Sequence, residues 1–483
     1  MPSEPQTVVN FGRNVSFQPQ VMATPHSEEE VLQILKQYVG RRIRVIGRLH
    51  SWSEAPRGDD VVLDLRHLNG VKTEQRDGRV WATIGAGCQV KRVLAELERQ
   101  ADVTLPSIGL ITEQAIAGAI STGTHGSGKS SLSHYIAEVR VATYDAATGE
   151  PVIRMISDGP ELRAARCSLG CLGVIVSVGL WTRPQYCIEE HFQRHATLDD
   201  VLAAEHEDPL QQFYFMPWSW DFNAHHRREV TQPRSWLAPL YRLYCLLTFD
   251  LGLHLVIKVV AKWLKSRRGI RFFFRRILPW TVIRNWKVID KSQAMLVMEH
   301  ELFRHIEIEV FVKRLQLSAA IAFVQELLRH FDGEPDALSP ATQERLQSFG
   351  LLEALAPCAG SYTHHYVICV RRVLPDDTLI SMASDNDEDC YALSFISYAS
   401  PSDREGFFQF AKHLVRTTAA LFQARPHWGK HCPIDSETVA ALYPNLAEFQ
   451  SICSSFDPTG RFRNEWVSRL LFSGESPNQQ LVE

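Results

Sequence analysis

The stretch at residues 305–312, HIEIEVFV, sets two carboxylates two residues apart in an apolar run. In an extended chain the period of two puts Glu307 and Glu309 on one face, with Ile306, Ile308, Val310 and Val312 on the other. Such a pair is either a solvated sheet edge or the wall of a polar pocket. In a pocket it would hold hydroxyl groups, and one carboxylate could take up a proton. Residues 105–133, LPSIGLITEQAIAGAISTGTHGSGKSSLS, form a second group. Gly118, Gly123, Gly126 and Gly128 permit close backbone approach, and successive small residues expose N–H groups that suit an anion such as a pyrophosphate. A turn-rich buried loop is the alternative, because the spacing is neither GxGxxG after a strand nor a P-loop. His50 follows the strand-like run RIRVI and Gly47, and imidazole is both nucleophilic and neutral near pH 7. Near the C-terminus, RPHWGK (425–430) supplies His427 and Lys430, a cation able to stabilise developing negative charge.

These groups need a scaffold, and the first third of the chain alternates helix and strand. Ser27-Glu28-Glu29-Glu30 is a capping box, followed by Val31, Leu32, Ile34, Leu35 and Tyr38 at helical spacing. Residues 42–46, 60–65 and 79–84 read as strands, and Val90, Val93, Leu94 and Leu97 as a helical stripe. Residues 137–144 and 151–156 read as further strands around a turn. Residues 168–180, SLGCLGVIVSVGL, read as a buried strand. The pattern is that of an α/β or α+β domain.

The chain is 483 residues long, 45% hydrophobic and 22% charged, which excludes wholesale disorder and predicts two or three domains. Lys+Arg 51 against Asp+Glu 55 gives a net charge of -4, arguing against a dedicated nucleic-acid binder. None of the ten cysteines forms a CxxC pair, and the first eleven residues carry no apolar leader run, so a reducing, cytoplasmic setting is expected. Between Lys258 and Arg276 stand eight basic residues without an acidic one. Leu251, Leu253, Leu255, Val256 and Ile257 flank them on one side, and Ile277, Leu278 and Trp280 on the other. Charges recur too often for a spanning helix of ~20 apolar residues. The block, within 236–285, reads as a basic amphipathic segment. It is expected either to lie on an anionic membrane surface through residues 251–280 or to pack on its own protein by its apolar side.

Together these pieces resemble the sugar-1,4-lactone oxidases. Residues 47–51, GRLHS, resemble the flavin-attachment loop of that family. Residues 117–126, AGAISTGTHG, resemble its second FAD loop, and RPHWGK with DPTG (457–460) its C-terminal signature. The chain is thus similar to vanillyl-alcohol-oxidase type flavoproteins, in the branch of L-gulono-, D-arabinono- and L-galactono-lactone oxidases and their alditol-oxidase relatives. The likeness runs from about residue 15 to 185 and from about 420 to 470.

The resemblance implies an α+β fold. A two-subdomain FAD-binding domain would span 15–185 and an α+β cap domain with an antiparallel sheet 186–420. The C-terminal segment, 421–483, would return to the FAD domain. It implies FAD, covalently linked through His50. Ile46, Gly47, Arg48, Leu49, His50 and Ser51 would wrap the pyrophosphate and isoalloxazine edge. Ser107, Gly118, Thr122, Gly123, Thr124 and His125 would line the cofactor, with Ile175 at the adenine end. Gly109 would leave oxygen a path, and His427 and Lys430 would reach the flavin or substrate. Glu307 and Glu309 fall at the family's E-x-E motif, whose second place is Arg in alditol oxidases, so Glu307, Glu309 and Lys430 form the implied catalytic set, with no metal. No histidine stands in LSFIS (393–397), where alditol oxidases carry one.

The implied activity is oxidation of a sugar-1,4-lactone or related polyol, with hydride to flavin N5 and O2 reduced to H2O2. The alternative is a same-fold dehydrogenase passing electrons to a quinone or cytochrome at a membrane. A flavin-free scaffold is a third class, against which His50, RPHWGK and the glycine-rich loop all argue.

Overall fold

The computed structural model describes residues 7–259, 266–298, 304–384 and 387–473. Three short parallel strands, β1 (Val21–Ala23), β2 (Ile43–Ile46) and β3 (Val61–Asp64), pair in the order β1-β3-β2. The helix Glu28–Gln37 buries Val31 and Leu35 in the core that also holds Ile43, Val61 and Leu63 of these strands. Its cap is the expected box with one change. The Ser27 hydroxyl accepts from the Glu30 N–H at 3.2 Å, but the Glu30 carboxylate reaches back to the His26 N–H at 2.8 Å rather than to that of Ser27.

A second, antiparallel sheet follows, built from β4 (Val71–Arg76), β5 (Arg79–Gly85), β6 (Ile136–Tyr144), β7 (Pro151–Ile156) and β8 (Val174–Trp181) in the order β7-β6-β8-β5-β4. The run at 168–180 is a strand only from Val174. Leu169, Gly170 and Gly173 hold positive φ angles, so its first six residues form a turn despite their apolar composition.

The largest layer is an eight-stranded sheet. Its strands are β9 (Cys187–His195), β10 (Gln212–Phe215), β11 (Phe222–Val230), β12 (Val288–Lys291), β13 (Ile306–Lys313), β14 (Ile368–Val373), β15 (Cys390–Ser397) and β16 (Arg425–Pro426), in the order β12-β9-β11-β10-β14-β15-β13-β16. Helices Leu317–Phe331 and Glu405–Phe422 pack on β13, where Ile306, Ile308, Val310 and Val312 are buried. Both faces of β13 are enclosed, so the E-x-E pair is interior and not a solvated edge: Glu307 is 3% and Glu309 0% exposed.

The basic segment forms two helical stretches. Ala238–Cys245, Leu246–Leu253 and His254–Ile257 run on from one another, as do Arg267–Phe272, Phe273–Ile277 and Leu278–Thr281. Lys262 and Lys265 of the basic block lie outside the described residues. The C-terminal segment returns to the start of the chain. The Ile43 N–H donates to the Arg461 carbonyl at 2.8 Å, and Arg44 Nη1 donates to the Phe462 carbonyl at 2.6 Å.

Candidate active site

A groove runs between the loop after β2 and the segment Ala115–Thr122. It is lined by Ile46, Gly47, Arg48, Leu49, His50 and Ser51 on one side and by Ala117, Gly118, Ser121 and Thr122 on the other. His427, Gly429 and Lys430 close one end, and Ile175 with Gly173 the other. A Cβ on Gly118 would stand in open space, with nothing within 4 Å, so this glycine leaves the groove free where a ligand backbone or phosphate would pass. Leu49 holds φ at 56°, which turns the chain into the buried His50; that ring stacks on Phe11 at 4.9 Å between centroids.

The C-terminal signature is built onto the groove by backbone pairing. β16 extends the sheet beyond β13, with Val310 opposite Pro426 and Phe311 opposite Arg425. The chain then keeps bonding to the E-x-E strand: the His427 N–H donates to the Glu309 carbonyl at 3.0 Å and the His431 N–H to the Glu307 carbonyl at 2.9 Å. The Gly429 carbonyl accepts from the Trp52 N–H at 2.8 Å and from the Ser51 hydroxyl at 3.1 Å, which joins the segment to the His50 loop. The buried Trp428 anchors it through Nε1 to the Ile380 carbonyl at 2.7 Å.

This pairing brings two ion pairs side by side. Lys430 Nζ meets Glu307 at 2.5 Å and lies over the Trp52 ring at 4.4 Å. The other Glu307 oxygen accepts from the Ser394 hydroxyl. Arg371 Nη2 meets Glu309 Oε1 at 2.6 Å. Burial alone would raise the Glu309 pKa, but Arg371 and then His125 outweigh it and hold the carboxyl well below its usual range. Its second oxygen, Oε2, is buried without a hydrogen bond and sits 3.5 Å from His125 Nε2.

The tautomers around Glu309 follow from fixed partners. His125 Nδ1 faces the Gly126 carbonyl at 3.0 Å and must donate, so a neutral His125 presents a bare Nε2 lone pair to the site. His427 Nδ1 accepts from the Gly429 N–H at 2.9 Å, which leaves its proton on Nε2. Burial drives the His427 pKa well below its usual value, so this ring is neutral. Ligand atoms of His125, Glu309 and His427 lie within 4.8 Å of one another. A cation there would meet the charge of Arg371, already seated on the same carboxylate. The arrangement suits a proton acceptor supported by a carboxylate better than it suits a metal.

On the same sheet face a cavity of about 440 Å³ opens beside the carboxylates. Directly opposed residues of antiparallel strands share a face, and Glu307 lies opposite Ile396, Glu309 opposite Ser394, and Ser394 opposite Cys369. Ile396 and Cys369 line the cavity, as do Tyr214, His225 and Phe192 on successively more distant strands. Its roof is helical, with Leu246, Phe249, Leu253 and Leu278 facing in, and Met295 and Met298 close one side. The far end holds a buried ion pair, Arg227 with Glu190, whose carboxylate also accepts from the Tyr241 hydroxyl at 2.6 Å.

Of the residues singled out from the sequence, Ile46 to Ser51, Gly118, Thr122, Ile175, His427 and Lys430 line the groove, and Glu307 and Glu309 stand at its closed end. Ser107, Gly109, Gly123, Thr124 and His125 do not line it. The Ser107 hydroxyl donates to the Ser130 carbonyl at 2.9 Å, and the Thr124 hydroxyl meets Gln114 at 3.1 Å. Gly123 turns the chain with φ at 74° against Met382. A Cβ on Gly109 would come within 2.8 Å of Thr124 Cγ2, so glycine there is accounted for by packing, and an oxygen path is not needed to explain it. His125 faces Glu309 instead of the groove. Sequence reasoning missed Arg371, Ser394 and Gln114. An arginine inside the strand ICVRRV was a signal, because a charge on an inward face needs a buried partner.

Residues 19–150 match a family model described as an FAD binding domain, and residues 193–470 one described as D-arabinono-1,4-lactone oxidase. The chain is 54% identical over 462 residues to a long-chain alcohol oxidase from an uncultured marine euryarchaeote, covering 96% of each chain. It is 26% identical to the L-gulono-1,4-lactone dehydrogenase of Mycobacterium tuberculosis, over 94% of this chain and 96% of that one. It is 24% identical to an alditol oxidase from a Streptomyces species, over 96% and 99%. A crystal structure of cholesterol oxidase from B. sterolicum superposes with a TM-score of 0.73 at 14% identity over 97% of both chains, a likeness of fold.

Proposed function

The chain belongs to the D-arabinono-1,4-lactone oxidase family of FAD-dependent oxidoreductases, and we propose that it oxidises long-chain primary alcohols to aldehydes with O2 as acceptor. The observation that carries the substrate class is the cavity beside Glu307 and Glu309. Leucine, phenylalanine and methionine side chains wall its roof and one side, and it extends across the sheet from β15 to β9. That roof suits an alkyl tail, while the polar groups of the lining, among them Gln212, Asn223, His225 and the Glu190–Arg227 pair, stand on the sheet side. The name of the relative at 54% identity agrees with this reading.

FAD fits the groove: Gly118 leaves it open, backbone lines both walls, and Lys430 and His427 stand at one end. Bound there, FAD supplies the two-electron acceptor for hydride. His50 is the proposed covalent anchor, since it is buried in the loop that lines the groove.

The chain's own residues divide the rest of the work. The reacting end of the alcohol is proposed to lie at the closed end of the groove beside Lys430 and His427, with His125 and Glu309 buried behind them. From there the hydroxyl proton ends on His125 Nε2, 3.5 Å from the Glu309 carboxylate that would stabilise the imidazolium and is itself fixed by Arg371. The Lys430–Glu307 pair sets the charge at the end of the groove. The walls of the cavity exclude water from the alkyl chain.

The test is turnover of linear primary alcohols and of sugar-1,4-lactones, with aldehyde, peroxide and artificial-dye reduction all followed. Aldehyde with stoichiometric peroxide is expected from the alcohols. Lactone-only turnover would overturn the substrate class, and dye reduction without oxygen uptake would overturn the acceptor.

A further inference from the structure

The helical cover of the cavity has an outer side that no other part of the described chain covers. Fourteen large hydrophobic residues are exposed among the described residues, and nine lie between positions 236 and 283: Trp236, Leu240, Leu243, Leu247, Leu255, Phe272, Ile277, Trp280 and Ile283. Trp236 and Trp280 are 85% and 88% exposed. The same helices send Phe249, Leu253 and Leu278 inward to line the cavity. One layer of helix is therefore apolar on both sides, where a soluble surface helix is apolar on one. Scattered exposed apolar residues are ordinary, but a contiguous group marks an interaction surface.

Charge identifies the occupant. Residues 236–287 hold eleven Lys and Arg against the single acidic Asp250, in a chain whose net charge is -4. Some of these have internal duties: Arg242 pairs with Asp290, Arg271 with Asp332, and Arg275 donates to the Trp218 carbonyl. Arg268, Arg276 and Arg284 are exposed and pair with no carboxylate among the described residues. Exposed tryptophans, exposed leucines and unpaired arginines in one layer match the chemistry of an anionic bilayer: acyl region, interface and headgroup charge. The helix Ala238–Ile257 is long and apolar enough to cross a membrane by length and composition alone. Its inward residues wall the cavity, so it lies on the bilayer and does not traverse it.

We propose that residues 236–283 form a monotopic docking surface for an anionic lipid bilayer, which places the roof of the cavity against the lipid. Delivery of a long-chain alcohol from lipid through that roof rests on the substrate reading above; the docking itself does not.

The experiment is sedimentation of the full-length holoprotein with vesicles of phosphatidylcholine alone and of phosphatidylcholine with phosphatidylglycerol. The variants are Leu240→Glu with Leu243→Glu and Leu247→Glu, and separately Arg268→Gln with Arg276→Gln. None of these side chains lines the cavity or groove. The parent is expected to sediment with the anionic vesicles. Each basic residue lost near the surface weakens partitioning about fivefold, so the double arginine variant should bind about thirtyfold more weakly. The triple variant should stay in the supernatant. Both variants should keep the parent's turnover of a short, water-soluble alcohol, which shows that they fold.

A parent that stays in the supernatant, or equal sedimentation of parent and variants, overturns the proposal. So does a parent that self-associates through this face, dimeric without lipid while the triple variant is monomeric. Docking with no alcohol turnover by any form would sink the substrate reading and leave the docking surface standing.

Discussion

If the cavity holds an alkyl tail, the specificity constant must depend on tail length in a way the structure fixes. Burying one methylene stabilises by about 0.8 kcal/mol, a factor of about four in kcat/KM. The cavity crosses from β15 over β14, β10 and β11 to β9, four strand spacings, or about 19 Å at ~4.8 Å each. That length takes an extended chain of more than a dozen carbons. Across a series of linear primary alcohols, kcat/KM is expected to climb about fourfold per carbon and then level off once the tail reaches the Glu190–Arg227 end. Cys245→Trp supplies the control. Cys245 lines the cavity and packs in the cluster with Phe192 and Tyr241 at the far end, away from Glu309. An indole there should leave short alcohols unaffected and move the plateau to shorter tails. Three displaced carbons would cost the longest substrates about 60-fold at about fourfold each. The assay is initial-rate peroxide release or dye reduction under subsaturating alcohol. A flat length profile, or a Cys245→Trp loss that is the same at every length, would refute the reasoning.

Removing the guanidinium in Arg371→Met strands a fully buried carboxylate. Stability to denaturant should fall by about 3–5 kcal/mol, and adding Glu309→Gln should recover much of that loss; no recovery would deny the pair its importance. His125→Gln should lower kcat by about 10²–10⁴-fold with little change in the urea midpoint; a small kcat effect would remove it as the proton acceptor. Burial lowers the pKa values of His225, His365 and His431 to about 4, below the ~6.5 of an unfolded histidine. The unfolded chain then binds three more protons between pH 6.5 and 4. These rings alone should cost about 4 kcal/mol per pH unit as pH falls through that window, read from denaturation midpoints at pH 7 and 5. Flavin should stay with the acid-precipitated pellet of the parent and be released from His50→Ala; release from both would deny the covalent link.

Much of this was legible in the chain because it rests on local chemistry. The Ser27 cap, the strands at 43–46, 61–64 and 151–156, and the period of two that aligns Glu307 with Glu309 follow from neighbours a few residues apart. The partners of those carboxylates were not legible. Arg371 lies two strands from Glu309 in the sheet, and His125 reaches it from another part of the chain; no period in the sequence encodes those meetings. Burial decided the same way. The E-x-E run has the alternation of a half-solvated strand, and only the helices behind it and the signature segment beside it make it interior. The substrate class was not legible for a related reason. The lactone expectation came from motifs that hold FAD and the reacting end, whereas the roof and one side of the cavity are formed by residues between positions 241 and 298 that carry no such motif.

The two-residue strand Arg425–Pro426 has a bearing on how the molecule is made. Until it docks, β13 is the open margin of a sheet of the other seven strands, and its sequence, IEIEVFVK, is rich in β-branched residues and able to recruit another chain. The residues that close it leave the ribosome more than a hundred positions after β13 does. Synthesis therefore passes through a stage in which the cap sheet has a sticky rim and the reactive cluster lacks His427 and Lys430. Proline at position 426, with no N–H to offer, then makes the finished edge a poor template for further strands. Chains cut short before residue 425 should accumulate as aggregates without flavin, and a separate peptide carrying 421–473 is the natural candidate to rescue them.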